Sequence, residues 1–296
     1  MSRKRRYENF ACIDWSGQAV ERPKGLAVAY CATGAEAPTL LRPERGWSRH
    51  KILEWLLQHA SANTDILIGV DLSPGLPFAD TGSYFPGGPH QPKNAKELWQ
   101  LVDEVCSQEP HLSASTFARH PSFRDHFRVQ VSGGAETGSR FEGGAGRFRQ
   151  AEHRQREGGV NPVSCFNLVG AAQVGKSSLT GMRVLNRIDG RLPVWPFDEV
   201  PVDGPVIVEI YTSIAARSAG IRKGRSKVRD LETLNMVLDQ LGSKPHCGLA
   251  TYDDHSTDAL ITSAWLRRVA ANPMLWKPPS MSPAIAATEG WTFGAL

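Results

Sequence analysis

Four short stretches of this chain hold acidic residues where a sheet could gather them: FACIDWSG, ILIGVDLSPG, VIVEIYTS and DDHSTDALITSAW. The first three are apolar, β-prone runs that deliver Asp14, Asp71 and Glu209 at or near strand ends. The fourth opens a helix with Asp254, His255 and Asp258 in its first two turns. Carboxylates from three strands and one helix, brought to one sheet edge, form the oxygen-donor set that Mg2+ or Mn2+ takes. Two such ions can clamp both oxygens of a phosphodiester displacement, one activating water and one holding the leaving oxygen.

Each acid also has a plainer reading. Any one alone is an ordinary cap or strand-end charge; together they read as a site, with Asp14, Asp71, Asp258 and Asp254 as metal ligands. Asp253 and Asp254 stand where a helix N-cap falls, which competes with the ligand role. His255 and Asp258 are three residues apart and share a helix face, so His255 is either a proton relay or a solvent-facing imidazole. Glu209 lies between Val208 and Ile210. If its face is buried it needs a cation, a metal or a proton, as a catalytic ligand or as a structural ion-pair partner.

The elements that must position these groups follow from the pattern. Strands are expected over 10–14, 26–31 and 38–41, joined by short turns into an antiparallel meander. WSRHKILEWLLQHA (47–60) has helical spacing, and DILIGVD (65–71) is the continuous apolar run of a central strand. Residues 76–163 interrupt the rhythm. They hold one clear helix (94–107), a second expected near 114–127, and a Gly-, Arg- and Gln-rich stretch that reads as a mobile insertion. Arg149, Glu152 and Arg154 fall in that stretch and receive no role. A strand over 164–170, a helix over 176–188, the strand PVIVEIY, helices over 228–242 and 254–272, and a small closing strand over 289–294 complete the series. The fold class is therefore α/β: a mixed sheet flanked by helices, with residues 1–9 a basic tail and 10–296 one domain carrying the insertion. Trp15, Trp195, Trp265 and Trp291 read as core or edge aromatics.

The composition, 296 residues with 41% apolar and 22% charged, suits a globular protein with a substantial core. No apolar run is long enough to span a membrane, and the basic start lacks the apolar region of a secretory signal. Five widely spaced cysteines without a C-x-x-C exclude a cysteine zinc site and fit a reducing, cytoplasmic setting. Net charge is +4, with the excess at Arg3–Arg6 and at Arg217, Arg222, Lys223, Arg225, Lys227 and Arg229. Such clusters suit a nucleic-acid partner, DNA or RNA; a basic tail and a solvated loop are the alternative.

The order meander, helix, central strand, then helix–strand–helix is that of the ribonuclease H-like fold. IDWSG, GVDLSPGLPF, VGAAQVGKSSLTGMRVL, VEIYTS, HSTDALITSAW and EGWTF together resemble the family called domain of unknown function 429. Its members are described as predicted nucleases of ribonuclease H-like fold. The resemblance spans about residues 10–294 outside an 80–145 insertion. It implies a metal-dependent nuclease. Related folds in Holliday-junction resolvases use an acid on the first strand, one on the fourth, and an acid or histidine three residues before a last aspartate. These positions are Asp14, Asp71, His255 and Asp258 here. Resolvases of that kind are dimers, so a dimer is one open outcome.

GAAQVGKS (170–177) satisfies the phosphate-loop pattern G-x-x-x-x-G-K-[ST], which raises a nucleotide-binding phosphotransferase or NTPase as the alternative. A complete meander-and-helix unit ahead of it argues against that architecture. Lys176, with Arg222, Lys223 and Arg225, is still expected to meet substrate phosphates. A non-catalytic nucleic-acid binder is the third reading.

Overall fold

The computed structural model describes residues 7–170, 173–221 and 227–296. Strands β1 (Asn9–Asp14), β2 (Ala27–Ala32) and β3 (Thr39–Leu41) form the expected antiparallel meander. Helix α1 (Arg49–Ser61) starts at Ser48, whose hydroxyl accepts from Lys51 N. It leads to β4 (Ile66–Val70), buried along its whole length and parallel to β1. The insertion holds α2 (Ala95–Val105), a small hairpin of β5 (Arg128–Val131) and β6 (Gly134–Thr137), and α3 (Gln150–Glu157). Then come α4 (Val174–Ile188), β7 (Val194–Trp195), β8 (Val206–Glu209), α5 (Thr212–Ser218), α6 (Leu231–Gln240) and α7 (Asp254–Val269). The short helices α8 (Pro273–Trp276) and α9 (Pro283–Thr288) close the series.

The main sheet runs β3-β2-β1-β4-β8-β7, antiparallel through the first three strands and parallel from β1 onward. Side-chain alternation divides the core in two. Ala11, Ile13, Ile66, Ile68, Val70 and Ile207 pack with α1, α2 and α4 on one face. Phe10, Cys12, Leu67, Val206 and Val208 pack with α5, α6 and α7 on the other. The chain is therefore a three-layer α/β structure around a mixed sheet. Among the described residues no helix is long and apolar enough to cross a membrane.

Four local expectations need correction. Instead of a helix over 114–127 there are two short 3-10 turns, Phe117–Arg119 and Arg124–His126, because Pro121 lies between them and cannot sit inside a helix. Residues 164–170 form no strand of the sheet; Asn167 makes a single bridge to Arg128. The closing segment forms no strand either, although Phe293 N donates to Glu209 O at 2.9 Å. The polar stretch is also not loose throughout: Phe141, Arg147, Phe148, Arg149, Glu152 and Gln155 are buried. It docks through buried ion pairs as well as a few apolar side chains, and hydropathy alone does not reveal that. All four expected tryptophans are buried.

Candidate functional site

β1 ends on Asp14 and β4 runs directly into Asp71. Ile13 stands beside Val70 in the parallel register, and Asp71 N donates to Ile13 O at 2.9 Å. The two carboxylates thus leave adjacent strand ends, at the carboxyl edge where open α/β sheets bind ligands. Alternation turns Asp14 to the face of Phe10 and Cys12, which α7 covers. The start of α7 is fixed by its N-cap, Asp253, which accepts from Ser256 N at 2.9 Å and Ser256 Oγ at 2.8 Å. His255 is thereby brought to Asp14, with Nδ1 3.2 Å from Oδ2. Its ring lies so close to the β1–β2 turn that a Cβ on Gly25 would fall 2.8 Å from Nε2.

The electrostatics follow from this crowding. Burial pushes the Asp14 carboxyl up, against the opposing hydrogen bond from His255. Burial and then the charges of Asp14 and Asp258 hold Asp71 well above the usual carboxylate range. Asp258 is pushed up to about 7, by burial first and Asp14 second. The hydrogen bond to Asp14 raises the His255 imidazole. Among the described residues no Lys or Arg forms an ion pair with Asp14, Asp71 or Asp258.

No family model, no curated protein and no solved structure matches this chain. The chemistry has to be read from the groups themselves. Three mutually repelling carboxylates are the donor type a hard divalent cation takes, and a bound cation would offset their repulsion. As the side chains stand, no three His, Cys, Asp or Glu among the described residues converge closely enough to hold one ion.

The other expected site residues are placed differently. Glu209 is buried, but alternation turns it to the face of Ile207, away from α7. Arg149 Nη1 and Nη2 reach its two oxygens at 2.9 and 2.6 Å, and Thr292 Oγ1 donates at 2.6 Å. Of the two expected readings of Glu209, catalytic ligand or structural ion-pair partner, the contacts are those of the second, with both oxygens accepting from Arg149. Asp254 likewise pairs with Lys227 and with Arg229, the latter at 2.5 Å, and these cations hold its carboxyl below the usual range. It borders the cluster as a neutralised charge rather than as an open metal ligand. Lys176 lies in the first turn of α4, partly buried. Arg222, Lys223 and Arg225 lie outside the described residues.

The phosphate-loop pattern lacks its setting. No sheet strand runs into Gly170, so the strand–loop–helix unit that a nucleotide site requires is absent among the described residues.

Sequence reasoning gave no role to the network centred on Arg149, which is fully buried and also donates to Glu152 Oε1 at 2.8 Å and Glu289 O at 2.9 Å. The Glu289 carboxylate accepts from Phe78 N, Ala79 N and Gln150 N. The only sequence cue was the i, i+3 pair Arg149 and Glu152. Between this network and the acidic cluster lies a cleft of ≈ 300 Å³ lined by Trp15, Asp71, Gln155, Gln173, Ser177 and Tyr211, among others.

Proposed function

We propose that the acidic face at the ends of β1 and β4 is the site of a divalent-metal-dependent phosphodiester hydrolase, acting on nucleic acid within a ribonuclease H-like fold. The observation that carries this reading is the placement of Asp14 and Asp71 at adjacent strand ends under the start of α7, where His255 Nδ1 lies 3.2 Å from Asp14 Oδ2 and Asp258 follows one turn later. Burial raises all three carboxyls. Like charges gathered in one place raise the energy of the fold; a cation relieves it. The strand order, an antiparallel meander followed by parallel strands, supports the fold part of the reading.

Asp14, Asp71 and Asp258 would hold Mg2+ or Mn2+, whose contribution is to acidify water and to stabilise charge on the leaving oxygen. His255 is the titratable base beside them. Its bond to Asp14 fixes the ring and keeps a proton at hand for exchange with solvent, since the side chain is 45% exposed. Trp15 stiffens the loop after β1 by donating from Nε1 to Thr180 Oγ1 at 3.0 Å.

The test is Mn2+ titration calorimetry on the wild type, Asp71→Asn and Asp258→Asn, followed by cleavage assays on labelled DNA and RNA. Binding by the wild type that is lost in both variants is the expected result. Binding that persists unchanged in both would place the metal elsewhere and end this reading. Metal-free nucleic-acid binding without cleavage would favour a non-catalytic binder.

A further inference from the structure

The first turn of α4 stands between two clefts. Gln173 and Ser177 enter the Asp71 cleft on one side. On the other side is a smaller cleft, ≈ 70 Å³, lined by Lys176, Arg119, Ser115, Gln130 and Gly17, among others, with no Asp or Glu in its wall. Burial, and then the charge of Arg119, lower the Lys176 ammonium. Neither cation forms an ion pair with a carboxylate among the described residues. Arg119 spends one donor, Nη2, on Gln130 O at 3.3 Å.

The backbone fixes the spacing of the two clefts. Trp15 lines one and Gly17 the other, two residues apart on the loop that follows Asp14. Gly17 is pressed so tightly on α4 that a Cβ would fall 2.3 Å from the carbonyl carbon of Lys176. Only glycine permits this approach. A cationic cleft is therefore held rigidly next to an anionic one.

We propose that the Lys176–Arg119 cleft binds a backbone phosphate of a single nucleic-acid strand whose adjacent phosphodiester lies at Asp71. The identity of the strand rests on the hydrolase reading above; the anion site does not. Two like charges without a counter-ion repel, and an anion accepting from both turns that repulsion into charge-assisted hydrogen bonds. A strand presents phosphates in series, so it can fill both clefts together, whereas a lone phosphate monoester fills only one. The Asp71 cleft has the volume of a small-molecule pocket, which admits one nucleotide unit at a time rather than a double helix.

The test is fluorescence anisotropy with a labelled single-stranded oligothymidylate in EDTA, at several salt concentrations, on the full chain. Lys176→Gln and Arg119→Gln should each weaken binding about five-fold and each lower the salt slope of log K by about 0.7, the value for one lost phosphate contact on a single strand. Lys176→Arg and Arg119→Lys should restore the slope, which separates a charge contact from a folding defect. A duplex of matched length should bind more weakly. The inference is overturned by an unchanged slope in both glutamine variants, by absence of oligonucleotide binding in the wild type, or by equal affinity for duplex. Mn2+ calorimetry on Lys176→Gln keeps the two ideas apart. Wild-type Mn2+ binding that is absent while the slope responds removes the hydrolase and leaves the anion site; intact Mn2+ binding with an unresponsive slope does the reverse.

Discussion

Two groups of acids sit at the same end of the sheet, and their partners differ. Glu209, Glu152 and Glu289 face the insertion, where Arg149 and three backbone N–H groups satisfy them. Asp14 and Asp71 face α7, which carries Asp258; among the described residues the ion pair these three acids make is that of Asp14 with the half-exposed His255 imidazole. Burial raises the carboxyls of Glu209 and Asp71 alike. Only Glu209 has a guanidinium pulling it back, while Asp71 is driven further by its acidic neighbours. A neutralised acid holds elements together; an acid left without its counter-charge is available to a ligand. Sequence position made both groups look alike, since Asp71 directly follows one buried parallel strand and Glu209 ends another.

The comparison breaks most sharply at Arg149. Arg149→Met strands Glu209 and Glu152 in the interior, and the expected loss is about 3–5 kcal/mol of stability, read by urea denaturation. A loss below 1 kcal/mol would show that solvent or protonation already satisfies those acids.

In the other group the sign reverses. Asp258 titrates near 7 in the fold, above its unfolded value, so its penalty is absent at acid pH, grows as pH rises between the two values, and is complete above the folded one. Asp258→Asn should therefore stabilise the metal-free protein at pH 8 by about 1–3 kcal/mol and change little at pH 4. Excess Mn2+ should narrow the gap by stabilising only the wild type. Equal stability of both proteins at pH 8 without metal would mean that the acids do not crowd one another.

The smallest effect is at His255, whose folded value is raised by Asp14. Its contribution is present below its unfolded value and lost as pH rises through the folded one. His255→Gln should cost no more than about 0.5 kcal/mol at pH 5.5, after screening at the half-exposed imidazole, and nothing at pH 9. NMR titration of the imidazole gives the same quantity directly.

Much of the fold was legible because apolar periodicity is a strong signal: the meander, the buried β4, and the helices α1, α2, α4, α6 and α7 all lie where the pattern put them. The convergence of Asp14 with His255 was legible for a related reason, as strand ends and helix starts are marked by residue type. What was not legible is which acids find partners. Arg149 lies in a segment of low hydropathy that is held in part by buried ion pairs, and periodicity has no channel for that. The strand expected at 164–170 failed because a short apolar run specifies burial rather than sheet pairing; Cys165, Phe166 and Leu168 are buried without it.

The hydrogen bond between His255 and Asp14 closes 241 residues of chain. Contacts of such long sequence separation carry a large loop-closure cost and tend to form late. The cluster is accordingly a sensor of its own completion. A chain in which β1 and β4 have paired before α7 docks would lack Asp258 and the imidazole. In a refolding experiment, recovery of Mn2+ affinity should trail recovery of sheet circular dichroism, timing the arrival of the last helix on a scaffold already in place.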